Sequence, residues 1–98
     1  MKTETRSDAT STTTPSTQTQ VAFAQTLKKE LEELGMSDVI YNETNGFVIA
    51  TLPSNVEKDV RSIGFIAHMD TADFNAVNVS PQIVENYDGE STIPLDKE

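Results

Sequence analysis

The 98-residue chain holds a single histidine, His68, and an aspartate, Asp70, follows two positions later. Both stand in the stretch Ser62-Ile63-Gly64-Phe65-Ile66-Ala67-His68-Met69-Asp70-Thr71, where an apolar run stops at the imidazole. An imidazole and a carboxylate at this spacing can form a metal ligand with its orienting partner. In an extended chain the period of two puts both side chains on one side. The carboxylate then holds one ring N–H while the other ring nitrogen binds a metal, which fixes tautomer and orientation. The same residues also fit a simpler role: a partly buried, hydrogen-bonded histidine, with Asp70 and Thr71 capping the turn after a strand.

Positioning these groups is the task of the surrounding elements. A short run rich in β-branched and aromatic residues, bounded by polar ones, reads as a buried strand, here over 63–68. Open α/β sheets place their ligands beyond the carboxyl ends of such strands, where His68 falls. Upstream, from about residue 16 or 17 to 34, Val21, Ala24, Leu27, Leu31 and Leu34 recur at helical spacing. Gly35 is placed to end that helix in a left-handed conformation. Its polar face carries Lys28, Lys29, Glu30, Glu32 and Glu33, where a Lys and a Glu four apart contribute about 0.2–0.5 kcal/mol per pair. Val39-Ile40-Tyr41 and Phe47-Val48-Ile49-Ala50-Thr51-Leu52 flank Asn45-Gly46, the pattern of a hairpin. Residues 54–61 form a polar connection, 74–79 a loop, Gln82-Ile83-Val84 a short strand, and Asp88-Gly89 a turn.

The fold class read from this order is α/β, one amphipathic helix followed by three or four strands. One helix cannot cover both faces of a sheet so apolar, so the elements are an incomplete part of a larger domain.

Composition narrows the partners. Seven Lys and Arg stand against 16 Asp and Glu, and the formal charge of −9 opposes nucleic acid and anionic membrane surfaces. The absence of cysteine rules out disulfides and thiolate metal sites, leaving His, Asp and Glu as ligands for a hard or borderline metal. Residues 1–15 are dominated by Thr and Ser and read as a loop or disordered segment, with the domain proper over 16–98. No apolar run reaches transmembrane length or forms a signal peptide, so a cytoplasmic location is expected. Asp73, Glu85 and Asp88 read as solvated surface.

Several separated stretches carry a family resemblance: Ser7-Asp8, Thr14-Pro15-Ser16-Thr17, Ala50-Thr51-Leu52-Pro53, the run from Ile63 through His68 and Asp70 to Thr71, and Pro81-Gln82-Ile83-Val84-Glu85-Asn86-Tyr87-Asp88-Gly89. With them the chain resembles the N-terminal part of peptidase T, the tripeptide aminopeptidases of the zinc-dependent aminoacylase and carboxypeptidase superfamily. The resemblance implies an N-terminal fragment of a zinc-exopeptidase-like catalytic domain. It implies that His68 binds one of two zinc ions and that Asp70 is the catalytic-site residue that orients it. It further implies that two metals activate a bridging water, that a glutamate acts as general base, and that the first peptide bond of a tripeptide is cut. The family's bridging aspartate, its adjacent glutamate pair, its later aspartate ligand and its final histidine fall beyond residue 98, and its first helix precedes the Thr-rich loop. The 98 residues alone are therefore expected to be inactive and to self-associate through uncovered strand edges. The alternative is a noncatalytic α/β structural or interaction module.

Overall fold

The computed structural model describes residues 3–73 and 79–94. One helix, α1 (Gln18–Glu33), is followed by two strands, β1 (Ser37–Asn42) and β2 (Phe47–Thr51). The helix forms where the apolar spacing predicts it. Its inward stripe runs through Gln20, Ala24, Leu27 and Leu31, with Ala24 fully buried at 0% exposure. On the outer face Lys28 Nζ lies 3.7 Å from Glu32 Oε1.

The helix ends as its sequence dictates. Gly35 takes φ +83°, its N–H donates to the Glu32 carbonyl, and the Met36 N–H donates to the Leu31 carbonyl. These two bonds form a Schellman motif, which uses carbonyls that the helix end would otherwise leave open. Leu34, expected on the apolar stripe, is instead exposed, because it is the C-cap at which the chain leaves the helix.

β1 and β2 pair antiparallel, with Ile40 opposite Ile49, Tyr41 opposite Val48 and Asn42 opposite Phe47. Between Ser37 and Ile40 the register shifts. Asp38 sits there at φ +51°, a conformation that aspartate tolerates better than most residues. The connecting turn is held by side-chain amides: Asn42 Oδ1 accepts the Thr44 N–H at 3.0 Å and Asn45 Oδ1 accepts the Phe47 N–H at 3.0 Å. Gly46, at φ +74°, donates its N–H to the Asn42 carbonyl at 2.7 Å. A Cβ at this position would collide with Pro15 Cγ and lie 2.9 Å from Pro15 Cδ, so the turn requires glycine for space as well as for conformation. Helix α1 packs on the hairpin. Val39, Tyr41, Val48 and Ala50 are partly covered, while Ile40, Phe47 and Ile49 on the opposite face are open.

The third strand expected over 63–68, and the fourth at 82–84, do not form; the sheet of the described residues has two strands. Phe65 is 94% exposed and Ile66 100%. The physical reason is that a strand exists only as a ladder, and no described segment pairs with 63–68. The radius of gyration, 17.5 Å, exceeds the roughly 13 Å of a compact domain of about 100 residues. The α/β mixture is thus realised in part, as one helix on a hairpin. Of the loop expected over 74–79, residues 74–78 lie outside the described residues. No helix among the described residues is long and apolar enough to cross a membrane.

Candidate functional site

His68 and Asp70 are brought together. His68 Nδ1 lies 3.0 Å from Asp70 Oδ1 and 2.9 Å from the Asp70 backbone carbonyl oxygen. A carbonyl oxygen only accepts, so the proton must reside on Nδ1. In the neutral ring the lone pair is then on Nε2. The His68 side chain is 85% exposed and the Asp70 side chain about half covered. With Nδ1–H so held on an exposed ring, Nε2 is the atom left to accept a proton or a metal.

The segment after this pair is tied to the start of the chain. Arg6 and Thr71 form a parallel bridge. Within it the Thr71 N–H donates to the Thr5 carbonyl at 3.0 Å, and the Thr71 carbonyl accepts both the Ser7 N–H and the Ser7 hydroxyl at 3.0 Å each. Beside the bridge, Arg6 Nε and Nη2 both lie 2.7 Å from Asp73 Oδ1. Both partners are largely solvated, and such a pair contributes only about 0.2–1 kcal/mol.

The Thr5–Asp8 stretch is held in turn by the start of α1. The Thr17 hydroxyl donates to the Arg6 carbonyl at 3.0 Å. Thr17 is the N-cap residue, and its side chain makes no capping bond to the helix; its hydroxyl donates to the long-range contact and accepts from the Thr19 hydroxyl at 3.0 Å. Gln20 Nε2 reaches the Thr5 carbonyl at 3.5 Å while Gln20 Oε1 accepts the Ser16 N–H at 3.1 Å. The Asp8 N–H donates to Ser16 Oγ at 3.0 Å. Thr5 is 1% exposed, and its hydroxyl, like that of Thr71, finds no hydrogen-bond partner among the described residues. An unmet buried hydroxyl costs about 1–3 kcal/mol.

An open cleft of about 690 Å³ lies against this arrangement, lined by residues 13–16, 45–50 and 65–70 with Ser7 and Gln20. His68 and Asp70 form part of its wall, the hydroxyls of Thr13, Thr14 and Ser16 another part, and apolar groups of β2 a third.

Two further carboxylates are held by local turns. Asp88 Oδ1 accepts the N–H groups of Glu90 and Ser91, and its Oδ2 accepts the Ser91 hydroxyl. The Ser91 hydroxyl, followed by the two backbone N–H groups, holds the Asp88 carboxyl down at about 2. Asp8 is lowered in the same way, chiefly by the Thr10 hydroxyl and then by the Thr10 N–H. Both are turn chemistry. Asp73, read from sequence as solvated surface, is the ion partner of Arg6.

Structural zinc takes four ligands and catalytic zinc three protein ligands with an open position. Among the described residues no group of three or more His, Asp or Glu side chains could hold a metal ion. His68 with Asp70 fits one ligand position and its orienting contact, and that part of a zinc site alone.

No protein-family profile matches the chain. Comparison with curated proteins is specific. The chain is 99% identical to peptidase T of Enterococcus faecalis over all 98 residues, 24% of that protein's length. It is 62% identical to peptidase T of Latilactobacillus sakei over 95 residues, covering 97% of this chain and 23% of the relative. Against peptidase T of Fusobacterium nucleatum it is 61% identical over 98 residues, all of this chain and 23% of the relative. The resemblance first carried by separated motifs therefore extends along the whole chain, which spans about a quarter of the length of the curated relatives it matches.

Proposed function

We propose that the chain is the opening part of the catalytic domain of a di-zinc aminopeptidase that releases the N-terminal residue of tripeptides in the cytoplasm. Residues 16–98 belong to that domain and 1–15 form the loop that leads into it. The observation that carries this reading is convergence. Two neighbouring stretches that resemble peptidase T, around Ser7 and around Thr14 to Thr17, and a third some 50 to 60 positions further on, from His68 to Thr71, meet at one cleft through named hydrogen bonds. The long, near-identical match supports the same parentage.

In this reading His68 holds one of two zinc ions through Nε2. Asp70 keeps the imidazole in the Nδ1–H tautomer and, through its charge, makes Nε2 the stronger donor. Zinc, when bound, supplies Lewis acidity toward the scissile carbonyl and a water that ionises near neutral pH. The cleft wall beside His68 receives the peptide, with the apolar β2 side chains and the Thr and Ser hydroxyls as its contacts. The 98 residues alone lack the remaining ligands and are inactive.

The test is expression of the full product of the gene that encodes this chain, as wild type and as His68→Ala, assayed for tripeptide hydrolysis and for zinc by calorimetry. Turnover in the wild type, with turnover and one zinc lost in the variant, supports the reading. A product that cleaves no tripeptide, or a variant that cleaves as well as wild type, overturns it and favours the noncatalytic α/β module. Calorimetry on the 98-residue chain should give only weak zinc binding, and tight binding with turnover would refute its inactivity.

A further inference from the structure

We infer that the Thr5–Ser7 stretch is a positioning strap for the His68–Asp70 pair, with Ser7 and the Arg6–Asp73 ion pair as its working contacts. The inference rests on the reading of His68 and Asp70 as the functional pair and adds residues distant in sequence to it. Thr71, the residue next to Asp70, has its N–H and its carbonyl both bound by the strap. Asp73 is anchored from the same side by Arg6. Asp70 meets His68 through two acceptors at once, its side chain and its own carbonyl. That double contact requires a defined backbone direction at residues 70 and 71, and the bridge to residues 5–7 supplies it. The strap does not float, because Thr17, Ser16 and Gln20 at the start of α1 bond to Arg6, Asp8 and Thr5. The chain of contacts runs from the helix through the strap to Thr71 and on to the imidazole.

His68 is the sole histidine, so its ring nitrogens can be read without ambiguity by two-bond 1H–15N correlation at alkaline pH, where the imidazole is neutral. A free imidazole favours the Nε2–H tautomer. The wild-type 98-residue chain should show Nδ1–H as the dominant form. Ser7→Pro removes the N–H and the hydroxyl that bind the Thr71 carbonyl, and should lower the ratio of Nδ1–H to Nε2–H several-fold. Arg6→Asp should lower it by less, and the swapped pair Arg6→Asp with Asp73→Arg should recover it. Helix content by far-UV circular dichroism shows whether Ser7→Pro still folds; if it does not, the Arg6→Asp and swapped variants decide the matter. Nε2–H dominance in the wild type would overturn the pair itself. A wild-type Nδ1–H form that persists unchanged in the folded variants would overturn the strap and leave the pair standing.

Discussion

The hairpin turn at Gly46 and the apolar run at Gly64 invite comparison, because sequence alone ranks the run as the better core element. Ile63, Phe65 and Ile66 are more hydrophobic than anything in the turn, yet all three stand in solvent. The turn holds Gly46 buried against Pro15. The difference shows that apolar composition records a demand for partners without supplying them. The helix and one face of the hairpin meet that demand within about 35 residues of chain, while Ile40, Phe47 and Ile49 on the other face stay open. The 63–68 run needs a ladder on its edges and a layer on its faces, and the described residues provide neither.

Substitutions can break this comparison. Gly46→Ala places a Cβ at positive φ and against the Pro15 ring, and should cost about 2–4 kcal/mol in urea unfolding followed by helix ellipticity. Gly64→Ala meets nothing within 4 Å and should change stability by less than about 0.5 kcal/mol. Equal losses at the two positions would mean that the run is packed after all. Thr5→Val removes a buried hydroxyl with no partner among the described residues while keeping the shape of the side chain. It should raise stability by about 1 kcal/mol, whereas a loss would reveal a bond that the hydroxyl makes.

Ile66→Lys probes the open run directly. Wild type should sediment as a concentration-dependent mixture of associated species, since an uncovered apolar segment recruits its own copies. The variant should shift toward monomer with its helix content unchanged, and an unaltered distribution would place association elsewhere. The smallest effect concerns the Asp88 turn. Its carboxyl is lowered in the folded chain, so what it contributes is fully present above the ordinary value of 3.8 and is lost as pH falls through about 2. The amide resonances of Glu90 and Ser91 should hold steady through the usual carboxylate range and move only near that lower pH. Ser91→Ala, which removes the largest cause of the shift, should move the midpoint upward.

What could be read from sequence was local. The helix, its Gly35 terminus and the hairpin follow from spacing over a few residues, and the His68–Asp70 contact follows from a separation of two. The shift of register at Asp38 left no trace, because nothing in Ser37-Asp38-Val39 marks which strand carries the extra residue. The strap was invisible for a stronger reason. Arg6 and Asp73 are 67 positions apart, and no periodicity connects them. Asp73 accordingly read as one more solvated carboxylate, and Ser7 only as one residue of a motif. The 63–68 run forms no strand because hydrophobicity specifies that a segment is to be covered and says nothing about which segment covers it.

The parallel bridge between Arg6 and Thr71 also has a place in time. It closes a loop of some 65 residues, and the entropy of closure grows as the logarithm of that length. Helix α1 and the hairpin need only neighbours and can form within microseconds. The contact that steadies the imidazole is therefore assembled after both, and in native-state hydrogen exchange the Thr71 and Ser7 amides should open before those of α1. The bridge that steadies the pair is made after the helix and the hairpin and given up before them.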